Sequence, residues 1–294
     1  MQEEYVMYKV AILGCENSHA NSFLNHILNE KAVDDIEIIG VYSDDAEAMQ
    51  KLNEEFGVYA MKSYDEFVDV ADGIIVTARH GDNHYKYAKP YIKKGIPMFI
   101  DKPITVSEED AVDFMKELKA NNIKVCGGSM CVFASLVQEY AKAVKEKTYG
   151  EVYGGYVRAP INMDNPYGGF FFYSQHLAQV MTTMFGCYPK SVKMYQNDKT
   201  YTGIVRDEDY DVNISFVEAN YVYSVGISCE KKFLADEYNF DGCFVSEFNE
   251  FYTILKGGEQ PHSYKDLVAP VFILNAINRS LLSGNEEVVN TYEI

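Results

Sequence analysis

Over its first 128 residues the chain alternates short apolar runs with amphipathic stretches, and this alternation limits the possible folds more than any other feature. Lys9 to Leu13 is apolar and ends at Gly14, and a helical pattern from about Ser18 puts Phe23, Leu24, Ile27 and Leu28 on one face. The unit recurs as Ile36 to Tyr42 followed by Ala46 to Phe56, stopped by Gly57. A weaker strand near Val58 precedes Ser63-Tyr64-Asp65-Glu66, which reads as a capping box. Gly73 to Ala78 then reads as a buried strand, His84 to Lys94 as a helix ended by Gly95, and Met98 to Ile100 as a strand. Ser107 opens a helix to about Asn121, before a strand at Ile123 to Cys126. Strands separated by helices need crossover connections, so the expected architecture is a parallel sheet built from right-handed βαβ units.

After Gly127-Gly128 the pattern changes. A helix at Ser135 to Lys147 is followed by Tyr-, Val-, Ile- and Phe-rich segments at strand spacing, at Val152 to Arg158, Tyr210 to Val217, Tyr221 to Cys229 and Phe244 to Leu255. Helical patterns interrupt them at Tyr173 to Phe185 and Tyr264 to Leu282, the latter closed by Ser283-Gly284. The expected division is residues 1–128 and 129–294, the second part an α+β unit around an open, mainly antiparallel sheet that offers a surface for homo-oligomerisation.

A length of 294 residues, 47% of them hydrophobic, suits two domains with a sizeable core. With 26 basic and 44 acidic residues the formal charge is 26 − 44 = −18, which argues against nucleic acid or anionic lipid as a partner. The six cysteines form no C-x-x-C pair and suit reduced thiols in a cytoplasm. The acidic opening Met1 to Tyr5 lacks the positive head of a signal peptide, and no run approaches the roughly 20 apolar residues of a membrane span.

A strand, a Gly-containing turn and a helix start can aim backbone N–H groups and a helix dipole at a pyrophosphate. Here the turn is Gly14-Cys15-Glu16-Asn17-Ser18-His19, which keeps only the first glycine of G-x-G-x-x-G. Glu16 is the main departure, because a carboxylate about 5 Å from one phosphate charge costs roughly 3 kcal/mol at an effective dielectric of 20. It must point away, or the dinucleotide sits differently or does not bind. The second strand ends in Ser43-Asp44-Asp45, whose acids suit the ribose hydroxyls of NAD better than the 2′-phosphate of NADP. An exposed helix N-terminus explains the same acids equally well.

Phe99-Ile100-Asp101-Lys102-Pro103 resembles the Glu-Lys-Pro signature of the glucose-fructose oxidoreductase / inositol dehydrogenase (Gfo/Idh/MocA) family, with Asp101 in place of Glu. Asp72 to Thr77, His84 and Lys94-Gly95 look like the segment before that signature, and Ala276 to Gly284 like the family's C-terminal helix, so the resemblance runs along essentially the whole chain. It implies an N-terminal Rossmann domain, a C-terminal α+β domain with an open sheet, and NAD(P)-dependent redox chemistry on hydroxyl groups of sugars or polyols. Lys102 then falls at the carboxyl edge of the parallel sheet, where its ammonium can bind the substrate hydroxyl and polarise the forming carbonyl. The implied cofactor-binding residues are Gly14, Glu16, Asn17, Ser18, Ser43, Asp44, Thr77, Ala78, His80, His84, Asp101 and Lys102.

A second signature, Asp-x-Gly-x-His-x-x-Asp after Gly-Gly, resembles Gly168-Gly169-Phe170-Phe171-Phe172-Tyr173-Ser174-Gln175-His176-Leu177-Ala178-Gln179. His176 matches the histidine and is the implied general base. Phe172 and Gln179 stand where acids are expected, and Ser174 stands for Gly. A buried structural role for His176 competes with catalysis. Tyr173, three residues earlier on the same face, and Arg79, past the Gly73–Ala78 strand, are the implied substrate contacts. Gly128 to Phe133 lacks the Asn and Arg common in relatives.

His80-Gly81-Asp82-Asn83-His84 has the residue types of a metal cluster, but its place in a βα loop argues against one, and no metal is expected. The leading reading is an NAD-dependent, or NADP-dependent, oxidoreductase acting on a neutral sugar, polyol or cyclitol. A non-catalytic nucleotide- or sugar-binding relative is the alternative, motivated by Glu16, Phe172 and Gln179. An enzyme that keeps NAD bound and uses transient oxidation for elimination or hydrolysis is a third.

Overall fold

The computed structural model describes residues 6–294, and the acidic opening Met1 to Tyr5 lies outside them. A parallel sheet of five strands has the order β2-β1-β3-β4-β5. Its strands are β1 (Tyr8–Leu13), β2 (Ile36–Tyr42), β3 (Gly73–Val76), β4 (Met98–Asp101) and β5 (Val125–Gly128). The crossovers carry α1 (Ser18–Leu24), which runs on into one π-helical turn at Asn25–Asn29, then α2 (Ala46–Phe56), α3 (Asp82–Ile92) and α4 (Glu108–Ala120). Caps fix the helix starts as the sequence predicts: Asp45 accepts from Glu47 N and Ala48 N, and Ser107 from Asp110 N. The strand order reverses at β1, so the ends of β1 and β3 form the crevice where such sheets bind ligands.

Two expectations fail locally in this half. Val58 and its neighbours make only an isolated bridge, Val41 to Ala60. Ser63 to Glu66 starts a series of turns rather than a helix, and the Glu66 carboxylate accepts from Lys62 N at 2.6 Å, outside the capping-box position. The last strand also lies two residues later than expected and contains Gly127-Gly128.

The second sheet has seven strands in the order β11-β10-β6-β9-β8-β7-β12. They are β6 (Val152–Ile161), β7 (Ser191–Asn197), β8 (Thr200–Arg206), β9 (Asp211–Glu218), β10 (Ser224–Cys229), β11 (Phe233–Glu237) and β12 (Glu286–Val288). All pairs are antiparallel except β6 with β9. After a 3₁₀ turn at Met130–Phe133, the helices α5 (Ser135–Lys145), α6 (Phe170–Phe185) and α8 (Tyr264–Ser283) complete this layer, with α6 against β6 and α8 against β7. Val157, Ile214 and Met194 face them and are buried; Tyr156, Asn213, Ile204 and Lys193, one register row over, form the less covered face.

The largest correction is Phe244 to Leu255, expected as a strand. It is a helix, α7 (Cys243–Leu255), and it packs against β4 and β5 of the first sheet. Its aromatic content suggests a strand, but Phe244, Phe248, Phe251 and Leu255 recur at helical spacing. They join Val10, Ile12, Phe23, Ile75 and Phe99 in one core under the parallel sheet. Burial against that sheet outweighs the modest helix propensity of aromatic residues.

Candidate active site

Each wall of the site begins with a backbone constraint. Gly14 has φ +79°, and a Cβ there would stand 2.3 Å from the Ala78 backbone. The glycine therefore lets the β1 turn close onto the end of β3, where Thr77 donates through Oγ1 to Gly14 O at 3.1 Å. Gly128, with φ +96°, lies against the Gln179 amide, so the end of β5 meets α6 without an intervening side chain.

The first wall is the end of β4. Asp101 is fully buried and its carboxylate accepts from Asn17 Nδ2 at 3.1 Å and from Lys102 N at 2.7 Å. His19 Nδ1 lies 2.9 Å from the same carboxylate, within ion-pair distance though not aligned as a linear hydrogen bond. Burial raises the Asp101 pKa, but His19 and Lys102 outweigh it and hold the carboxyl below its usual range. Burial likewise pulls His19 down, and Asp101 overcomes this to raise it to about 8. Lys102 is 4% exposed. Burial lowers its pKa against the opposing pull of Asp101. Its Nζ lies 4.1 Å from the Phe172 ring centre and 3.4 Å from Phe172 O, so the aromatic residue standing in place of an acid covers the ammonium.

The second wall is α6. Gln179 Oε1 accepts from Ser129 N at 2.7 Å and from Gln175 Nε2 at 3.3 Å. His176 Nδ1 is 2.7 Å from Ser129 Oγ and 3.3 Å from Cys131 Sγ. Burial and then the Lys102 charge depress the imidazole to about 3, so it is neutral at physiological pH. Lys102 thus lies against the first turn of α6, one helical turn before His176. Tyr173 lies beside His176, with ring centres 6.3 Å apart, and packs on Tyr221.

Outside this pair, a groove of about 590 Å³ runs past the first turn, lined by Cys15 to Ser18, Asp45, Glu47, Lys51, Arg79 and Tyr167 among others. Among the described residues, the backbone N–H groups of Glu16, Asn17 and Ser18 meet no protein acceptor, while Asn17 Oδ1 caps His19 N. Free N–H groups, carboxylates at the end of β2 and the Arg79 and Lys51 cations fit a pyrophosphate with a ribose diol. Glu16 does not point away: it accepts from Ser43 Oγ at 2.7 Å and from Arg79 N at 2.9 Å, joining the ends of β2 and β3. Asp44 accepts from the hydroxyls of Tyr42 at 2.7 Å and Tyr87 at 2.8 Å, which hold it below the usual carboxylate range. The Arg79 side chain lies over Tyr167 and donates to its hydroxyl at 3.2 Å; Tyr167 in turn stacks beside Phe172. The groove therefore stops at an aromatic pair, and neither Lys102 nor His176 lines it.

The two loop histidines are separated. His80 pairs with Asp82 at 3.6 Å, whereas His84 is fully buried between Pro103 O at 2.6 Å and Ala78 O at 2.8 Å, clamping the Lys102-Pro103 turn to the end of β3. Burial pushes His84 below the usual histidine range. No cluster with metal-ligand geometry occurs among the described residues.

One residue escapes the sequence reading. Glu247 of α7 is 1% exposed, neither carboxylate oxygen has a hydrogen-bond partner, and burial raises its pKa to about 8 despite the nearby His19 charge. The only available signal is an acid inside the apolar run Cys243 to Leu255.

A parallel sheet with a crevice at its switch point and a lysine at its carboxyl edge defines a dinucleotide-binding type of α/β protein. Residues 8–128 match the family described as "Oxidoreductase family, NAD-binding Rossmann fold" (GFO_IDH_MocA). Over those 121 of 294 residues the chain is similar to the Gfo/Idh/MocA oxidoreductases. A curated relative, 2,7-anhydro-N-acetylneuraminate hydratase of Escherichia coli (strain K12), is 25% identical over 186 residues, covering 58% of this chain and 48% of that protein. The match thus spans about half the length of that relative. Myo-inositol dehydrogenase from Lactobacillus casei, solved with NAD(H) and myo-inositol, superposes with TM-score 0.86 at 12% identity over 98% of each chain. Myo-inositol 2-dehydrogenase from Lactobacillus plantarum gives 0.84 at 13% identity, over 97% of this chain and 100% of that one. At such identities these two structures establish the shared fold. No helix among the described residues is long and apolar enough to cross a membrane.

Proposed function

We propose that this chain is an NAD-dependent oxidoreductase that moves a hydride between nicotinamide and an alcohol carbon of a neutral sugar, polyol or cyclitol. The observation that carries the reading is the buried Lys102 ammonium lying against Phe172, one helical turn before His176 on α6. Glu16 to Ser18, Ser43 and Asp44 would hold the adenosine and pyrophosphate end, and the ends of β3 and β4 the nicotinamide end. The cofactor supplies the hydride acceptor when bound.

Lys102 stabilises negative charge developing on the substrate oxygen, which in a buried site is worth far more than in water. Asp101 positions it by accepting from its backbone N–H and by tying β4 to the first turn. The His176 Nδ1 is engaged by Ser129, which leaves Nε2 as the ring atom free to handle the hydroxyl proton. A ring depressed to about 3 is a weak base, so proton transfer to it depends on Lys102 stabilising the alkoxide. Substrate access requires Phe172 to leave its place over the ammonium. The half-exposed row of the second sheet is the surface offered to another copy of the chain, and a cytoplasmic location suits its unpaired cysteines.

One observation favours a second reading. The Escherichia coli relative is named a hydratase, and the same Lys-His pair could serve an elimination or hydration in which oxidation is transient. Thermal-shift titration with NAD⁺, NADH, NADP⁺ and NADPH, followed by a polyol and sugar panel, tests both. Net NADH formation is expected for the first reading, product without net NADH for the second, and the absence of any dinucleotide response refutes both.

A further inference from the structure

At the end of β2 the Ser43 hydroxyl, a natural donor to a phosphate, is already in use. The Ser43 hydroxyl donates to Glu16 at 2.7 Å, and the same oxygen accepts from Asp45 N at 3.0 Å. In the first turn of α2 the N–H groups of Glu47 and Ala48 donate to the Asp45 carboxylate, so the start of α2 carries its own anion. A neighbouring cation, Lys86, lies 3.5 Å from Asp44 and over the rings of Tyr64 and Tyr87. This edge gathers three side-chain acceptors, the carboxylates of Glu16, Asp44 and Asp45.

A free ribose hydroxyl can donate to such acceptors, whereas a 2′-phosphate has only acceptors of its own and about two negative charges. Asp44 is engaged by Tyr42 and, from α3, by Tyr87 and Lys86, and Asp45 caps α2. Glu16 alone reaches across from the first turn to take the serine hydroxyl. We infer that Glu16 sets the choice between the two nicotinamide dinucleotides, by consuming the Ser43 donor and placing a carboxylate where the extra phosphate of NADP would need one. The inference rests on the dinucleotide reading of residues 8–128 and adds a specificity determinant outside the usual acid at the end of the second strand. It also gives Glu16 a role consistent with its place in the turn: a selective acceptor rather than a defect in the glycine pattern.

The test measures NADH and NADPH binding to the full chain by nicotinamide fluorescence, for wild type, Glu16→Gln, Ser43→Ala and Asp44→Asn. Wild type is expected to favour NADH at least thirtyfold, with the preference shrinking as salt screens the repulsion. Glu16→Gln should cut the preference at least tenfold, mainly by improving NADPH binding. Ser43→Ala, which keeps the carboxylate, should retain most of the discrimination, and Asp44→Asn should alter it less than Glu16→Gln does. Wild type binding both dinucleotides within threefold overturns the inference while leaving the function intact, and this measurement stands even if Glu16→Gln fails to fold. An unchanged ratio in folded Glu16→Gln overturns it as well. If no dinucleotide binds, the functional reading falls and the inference with it.

Discussion

The two walls of the site treat charge in opposite ways. At the end of β4, Asp101, His19 and Lys102 form a cluster of formal charges, held by hydrogen bonds to the first turn and by mutual attraction. On α6, Gln179, Gln175, Ser129 and His176 form a neutral network in which an amide occupies the place of an acid. A carboxylate beside His176 would raise its basicity; without one, burial and Lys102 act unopposed except for Asp101. The contrast teaches that one wall carries the electrostatics and the other supplies orientation and a weak proton acceptor.

The sharpest way to break this division is Lys102→Ala. If the lysine carries the charge stabilisation, turnover on the best polyol should fall by roughly a thousandfold with dinucleotide binding retained; a loss below tenfold would move the chemistry elsewhere. His176→Ala should cost less, about a hundredfold. Gln179→Asp sharpens the same point, because a carboxylate on α6 should shift the pH dependence of kcat for the proton-transfer step upward by about one unit. An unmoved profile would mean that His176 handles no proton.

The smallest effect concerns the charged wall's neighbour, Glu247. In the fold it keeps its proton up to about pH 8, against 4.5 for an ordinary glutamate. Between those values the folded state binds more protons than the unfolded one, so stability is full below about 4.5 and declines as pH rises toward 8. His19, raised from 6.5 to about 8, acts in the same direction, its contribution being lost as pH rises through the upper value. Thermal melts of wild type should therefore show Tm falling between pH 6 and pH 8.5. Glu247→Gln should flatten that decline by an amount on the order of 2 kcal/mol. Equal slopes in the two proteins would refute a protonated Glu247.

The first half is legible in the sequence because its strands are short, mostly apolar and punctuated by Gly14, Gly57 and Gly95, and because Asp45 and Ser107 cap their helices locally. Lys102 and His176 are legible through short motifs that survive substitution at Asp101, Phe172 and Gln179. The rest depends on contacts distant in sequence. Phe244 to Leu255 carries a strand-like composition and a helix-like spacing, and only the sheet it covers decides between them. The partners of Glu16 lie 27 and 63 residues away. Nothing in the turn itself predicts that its carboxylate folds inward.

The position of α7 also sets the order in which the molecule can be completed. Phe248, Phe251, Ile254 and Leu255 share a core with β1, β3 and β4, and Tyr252 and Lys256 reach Asp35 just before β2. A chain emerging from the ribosome therefore keeps the part of this face that α1 and α2 leave open uncovered until residue 255 is available. Closing the core over the early strands waits for a helix made more than a hundred residues after them.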